Sequence, residues 1–149
     1  MTELPHRLRV YAESPTGPRV FLAGDDAELR GLFAASLRRR GFEVLTAGDG
    51  AELLAFLSAV ADKRIPRPDA IVSDVRMPGH DGVELLVAMR LAEWDVPILL
   101  MTAFGDAFVK RRAEAFGAAA LLEKPLTSEE LVDALRAVLM RSENESTIA

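Results

Sequence analysis

Val20-Phe21-Leu22-Ala23-Gly24-Asp25-Asp26 is the stretch that decides the fold: a short apolar run that ends in paired acids. The same design recurs down the chain. Ala70-Ile71-Val72 leads to Asp74, Ile98-Leu99-Leu100-Met101 to Thr102, and Leu121-Leu122 to Lys124-Pro125. Short apolar runs bounded by polar residues read as strands buried on both faces. As parallel strands of one sheet, they would deliver their polar ends to its carboxyl edge, where open α/β sheets bind ligands.

The segments between these runs have helical spacing. Leu29, Leu32, Phe33, Ser36 and Leu37 line one face, and Arg38-Arg39-Arg40-Gly41 supplies a cationic last turn and a glycine stop. Asp26 or its neighbour can cap that helix. Residues 43–47 read as a further strand. Gly48-Asp49-Gly50 turns into a helix carrying Leu53, Leu54, Phe56, Leu57 and Val60, and a proline-broken loop spans 62–68. After Asp74 comes a loop through 77–82, with Asp81 as cap, and a helix with Val83, Leu86, Val87, Arg90 and Leu91. A helix over 106–116 has a thin apolar face and ends at Gly117. Residues 119–122 form the fifth strand. Thr127 or Ser128 caps a last helix bearing Leu131, Ala134, Leu135, Val138 and Leu139. Strands alternating with helices predict one α/β domain over 19–141, with a five-stranded parallel sheet and helices on both faces. Residues 1–18, with Pro5, Pro15, Gly17 and Pro18, read as a flexible leader in which 8–11 alternates like a short strand. Residues 142–149 read as a polar, frayed tail.

The bulk numbers bound the function. The chain has 149 residues, 50% hydrophobic and 28% charged, which suits one ordinary core. A net charge of −5 argues against broad nucleic-acid affinity. Without cysteine there are no disulfides and no thiolate chemistry. No apolar run approaches the roughly 20 residues of a membrane span, and the start lacks the apolar core of a signal peptide. A cytoplasmic protein is expected.

Asp25, Asp26 and Asp74 carry the chemistry. Two carboxylates about 4 Å apart repel by roughly 4 kcal/mol at an effective dielectric near 20. Three together call for a raised pKa or a cation. Magnesium suits them, since it takes one or two carboxylates, waters and phosphate oxygens. Lys124 adds a compact positive charge. Asp74, at the end of a middle strand with a loop opening after it, is the best nucleophile for a phosphoryl group, and Thr102 can help to position one. Each residue alone has a plainer reading: a helix cap, a turn aspartate, a structural threonine, a strand exit. The functional case rests on their occurring in order on a regular βα repeat.

Leu22-Ala23-Gly24-Asp25-Asp26, the run from Ser73-Asp74-Val75-Arg76-Met77-Pro78 through Gly79-His80-Asp81-Gly82, Met101-Thr102-Ala103 and Glu123-Lys124-Pro125 resemble the receiver domain of two-component response regulators. The resemblance covers 19–141. It implies a flavodoxin-like fold with strand order 2-1-3-4-5. It also implies that Asp74 takes a phosphoryl group from a sensor histidine kinase or histidine phosphotransfer protein. Asp25, Asp26, Asp74 and the Arg76 backbone carbonyl would hold magnesium, Thr102 and Lys124 would contact phosphoryl oxygens, and Lys124-Pro125 would be cis. The chain would catalyse only its own phosphorylation and dephosphorylation, as a switch. One position departs from the family: Leu121 stands where an aromatic usually swings inward. Leu121 could fill the space behind Thr102, and Phe104 is a possible substitute. His80 reads as a loop residue, and the Arg76 side chain as one near the site mouth that influences phosphoryl lifetime. Lys110-Arg111-Arg112 with Glu123, Asp133 and Arg136 is either solvated surface or part of a homodimer face built from the family's fourth helix, fifth strand and fifth helix. Two other classes stay open: a magnesium-dependent phosphatase with an aspartyl nucleophile, and an interaction module that is never phosphorylated.

Overall fold

In the computed structural model, Arg19–Ala23 (β1), Glu43–Ala47 (β2), Ala70–Asp74 (β3), Ile98–Ala103 (β4) and Ala120–Lys124 (β5) are strands. Helices span His6–Glu13 (α1), Ala27–Arg39 (α2), Gly50–Ala61 (α3), Gly82–Leu91 (α4), Ala107–Ala115 (α5) and Ser128–Ile148 (α6). The structure describes residues 4–13, 17–103 and 106–148, with side chains through 143. Every strand pair is parallel and the order is β2-β1-β3-β4-β5, as the resemblance implied.

Alternation along each strand divides its side chains between two cores. Val20 and Leu22 join Phe33, Ala34 and Leu37 of α2 and Leu131, Leu135 and Val138 of α6. Phe21 and Ala23 join Leu53, Phe56 and Leu57 of α3 and Val83, Leu86 and Met89 of α4. Both faces of the middle strands are therefore apolar, and the runs in the sequence look continuous rather than alternating. Each fully buried Leu or Phe contributes roughly 1.5–3 kcal/mol.

The connections from strand to helix use one device. Asp26, Asp49, Asp81 and Asp106 each accept the backbone N–H three residues on, at 3.1, 2.8, 2.7 and 3.1 Å. Each satisfies one of the first-turn donors that the helix leaves unpaired. Thr127 and Glu130 form the reciprocal version ahead of α6: the Glu130 N–H donates to Thr127 Oγ1 at 3.1 Å, and the Thr127 N–H to Glu130 Oε1 at 3.4 Å.

The N-terminal segment departs from expectation. Residues 8–11 are not a strand, and the segment before Arg19 is not simply a flexible leader. It holds α1, whose Tyr11 is 2% exposed. Leu4, Leu8 and Tyr11 recur at helical spacing and pack on the α3–α4 side of the sheet. The Tyr11 ring lies 5.6 Å from Phe21, and its hydroxyl donates to the Pro66 carbonyl at 3.0 Å. Arg7 donates to the Thr46 carbonyl and, at 3.2 Å, to Thr46 Oγ1, tying α1 to the edge strand β2. At the other end α6 continues to Ile148 through the segment expected as a frayed tail. No glycine or proline between Ser142 and Ile148 interrupts it.

Candidate functional site

The carboxyl edge gathers the polar residues that end the strands. Asp74 closes β3, Thr102 is the penultimate residue of β4, and Lys124 closes β5. Asp25 and Asp26 follow β1. β5 is separated from β3 by β4, so Lys124 must span two interstrand steps of about 4.8 Å each. Its stem does so: Nζ lies 2.5 Å from Asp74 Oδ1. Asp74 is 4% exposed and Thr102 5%, and Lys124 is half-buried.

The partner of the buried Asp74 Oδ1 is the Lys124 ammonium, in direct charge contact. Burial pushes the Asp74 carboxyl above the ordinary carboxylate value. The Lys124 ammonium opposes that shift, the Asp25 charge adds to it, and the Asp25 backbone N–H opposes it weakly. A buried carboxylate with the charge of a second acid acting on it favours a hard cation.

Asp26 and Asp74 border one small cavity at this edge. Asp26 turns its Oδ1 to the Leu29 N–H as the cap of α2. Among the described residues, no group of three or more His, Cys, Asp and Glu side chains is placed to hold a metal ion. Asp25 and Asp74 are the electrostatically coupled pair, and two carboxylates are enough for magnesium that keeps waters. These residues fit the ion. The Arg76 side chain is exposed, with Nη2 3.3 Å from Asp106 Oδ2, at the start of α5. His80 lies on the loop before α4, 3.9 Å from Glu84. Leu121 is half-buried and packs against the α3–α4 core. Phe104 lies outside the described residues. The Lys124-Pro125 bond is cis, as the resemblance implied.

Two glycines shape the site and escaped the sequence reading. A Cβ on Gly24 would stand 2.8 Å from Asp74 Oδ2, so the absent side chain lets the carboxylate lie against the end of β1. A Cβ on Gly50 would stand 2.2 Å from the His80 carbonyl oxygen, so α3 begins directly under the loop that follows β3. Composition gives no sign of either, because both depend on a close approach by a distant segment.

A doubly wound sheet with a buried aspartate, a neighbouring acid and a lysine at its carboxyl edge defines an α/β domain with an oxyanion-handling site. The chain belongs to the response regulator receiver domain family, whose model matches residues 20–136. It is similar to the transcriptional regulatory protein PrrA of Mycobacterium tuberculosis, 39% identical over 132 residues, covering 89% of this chain and 54% of that protein. The chain thus spans about half the length of the curated relatives it matches first. Among solved structures it is similar to the chemotaxis response regulator CheY4 of Vibrio cholerae, with 34% identity and a TM-score of 0.70, covering 83% of this chain and 99% of that one. It is also similar to full-length FixJ from B. japonicum, with 33% identity and a TM-score of 0.76, covering 89% of this chain and 63% of that one. No described helix is long and apolar enough to cross a membrane.

Proposed function

We propose that this domain is a phosphoacceptor switch with Asp74 as the acceptor. The observation that carries the reading is the buried Asp74 carboxylate with the Lys124 ammonium 2.5 Å from its Oδ1. A carboxylate oxygen of Asp74 attacks phosphorus, the bond from phosphorus to the donor's imidazole nitrogen breaks, and that nitrogen keeps the electron pair. The product is an acyl phosphate. Hydrolysis returns the carboxylate and releases inorganic phosphate when water attacks phosphorus. Lys124 balances charge on the phosphoryl oxygens, and the Thr102 hydroxyl donates to one of them. Asp25 and Asp74, with the Arg76 backbone carbonyl, would hold magnesium, which supplies further charge neutralisation at those oxygens. Asp26 contributes through water and by capping α2.

The donor in this reading is a sensor histidine kinase or a histidine phosphotransfer protein, and the location is cytoplasmic. The output face is α5, β5 and α6, where a homodimer would form; neither nucleic acid nor membrane is contacted directly. The phosphoryl group adds about −1.5 to −2 charge, which draws Thr102 inward, and Leu121 fills the space behind it.

Incubation with acetyl phosphate and magnesium tests the reading. A mass gain of one phosphoryl group at Asp74, absent in Asp74→Asn, supports it. No gain in the wild type leaves an interaction module instead, and steady release of phosphate from organic phosphomonoesters leaves a phosphatase.

A further inference from the structure

Arg76 sits two residues past Asp74, and its backbone is anchored nearby: the Val75 N–H donates to the Met101 carbonyl at 2.8 Å. From this root the side chain crosses to α5. One carboxylate there does two jobs. Asp106 Oδ1 accepts the Val109 N–H at 3.1 Å and caps α5, while Oδ2 takes the Arg76 guanidinium at 3.3 Å. The Arg76 side chain is 82% exposed and Asp106 22%, so the guanidinium end of the pair faces water and can leave.

A phosphoryl group on Asp74 would be a stronger partner than Asp106. It brings nearly twice the charge, and its oxygens match the planar guanidinium fork. We propose that Arg76 is a transferable tether: it holds α5 through Asp106 at rest and moves to the phosphoryl oxygens when Asp74 is modified. Transfer removes the guanidinium from Asp106 and frees α5 from the loop after β3. This gives a charged route from the acceptor to the output face, in a chain whose Leu121 offers no aromatic for the purpose. The tether rests on the phosphoacceptor reading above.

The test uses the full chain with beryllium fluoride and magnesium as the phosphoryl probe, titrated by NMR. Asp106→Asn keeps a capping side chain but loses the charge that holds Arg76. It is expected to tighten probe binding by roughly two- to five-fold, the worth of an exposed ion pair. In an Arg76→Ala background the same substitution has no effect on binding. Probe-induced shifts at Val109 and Ala113 shrink in Arg76→Ala, while those at Ala23 and Met101 persist. An unchanged effect of Asp106→Asn without Arg76, or intact shifts in α5 without it, overturns the tether alone. Failure of the wild type to bind the probe overturns the phosphoacceptor reading and the tether with it.

Discussion

Replacing Lys124 with methionine keeps most of the stem and removes the ammonium that faces Asp74. The carboxylate left behind is 4% exposed and has a second acid beside it. Removing one partner from a buried ion pair typically costs about 3–5 kcal/mol. Protonation sets a ceiling on that cost, because the folded protein can always neutralise Asp74 instead. At pH 7 the solution lies about 3.2 units above the ordinary carboxylate value of 3.8, and each unit is worth about 1.36 kcal/mol, giving a limit of about 4.4 kcal/mol. At pH 5 the limit drops to about 1.6 kcal/mol. The sign follows from proton binding. With its pKa raised in the fold, Asp74 binds more protons folded than unfolded, so stability falls as pH rises above 3.8. Urea unfolding without magnesium should therefore show Lys124→Met losing about 3 kcal/mol at pH 7 and no more than about 1.6 at pH 5. In an Asp74→Asn background the loss should largely vanish. An equal loss at both pH values, or an equal loss without the Asp74 charge, would refute the view that Lys124 acts by neutralising this carboxylate.

Three other substitutions probe separate parts of the structure. Asp74→Asn removes the raised carboxyl, so the wild type's decline in stability as pH climbs from 3.8 through the raised folded value should flatten in urea titrations run across that window. Tyr11→Ala should cost about 3–5 kcal/mol, and Tyr11→Phe only about 0.5–1.5 for the lost bond to Pro66; a change below about 1 kcal/mol for the alanine would mean α1 is not part of the folded unit. Gly24→Ala places a methyl 2.8 Å from Asp74 Oδ2, so phosphorylation by acetyl phosphate should slow several-fold with little change in urea midpoint; an unchanged rate would show that the carboxylate does not need that space.

Much of the site could be read from the chain because each functional residue sits just past a short apolar run. Residues that close parallel neighbouring strands must share an edge, which brings Asp74, Thr102 and Lys124 together from positions far apart. The acids after β1 were legible in the same way, but their separate roles were not. The caps of α2, α3, α4 and α5 are all aspartates, so a capping acid and a charge-bearing acid look the same in sequence. α1 was missed because prolines on both sides suggested a leader, although Leu4, Leu8 and Tyr11 kept helical spacing.

By itself the sequence determined the sheet, its helices and the set of groups at its carboxyl edge, since apolar periodicity and turn chemistry act over a few residues. Only the tertiary structure decided how those groups are used. The reach of Lys124 across β4, the turn of Asp26 to its own helix, the crossing of Arg76 to Asp106 and the room left by Gly24 all depend on distances between distant segments. Such distances are set by how the helices pack on the sheet, which no local pattern encodes.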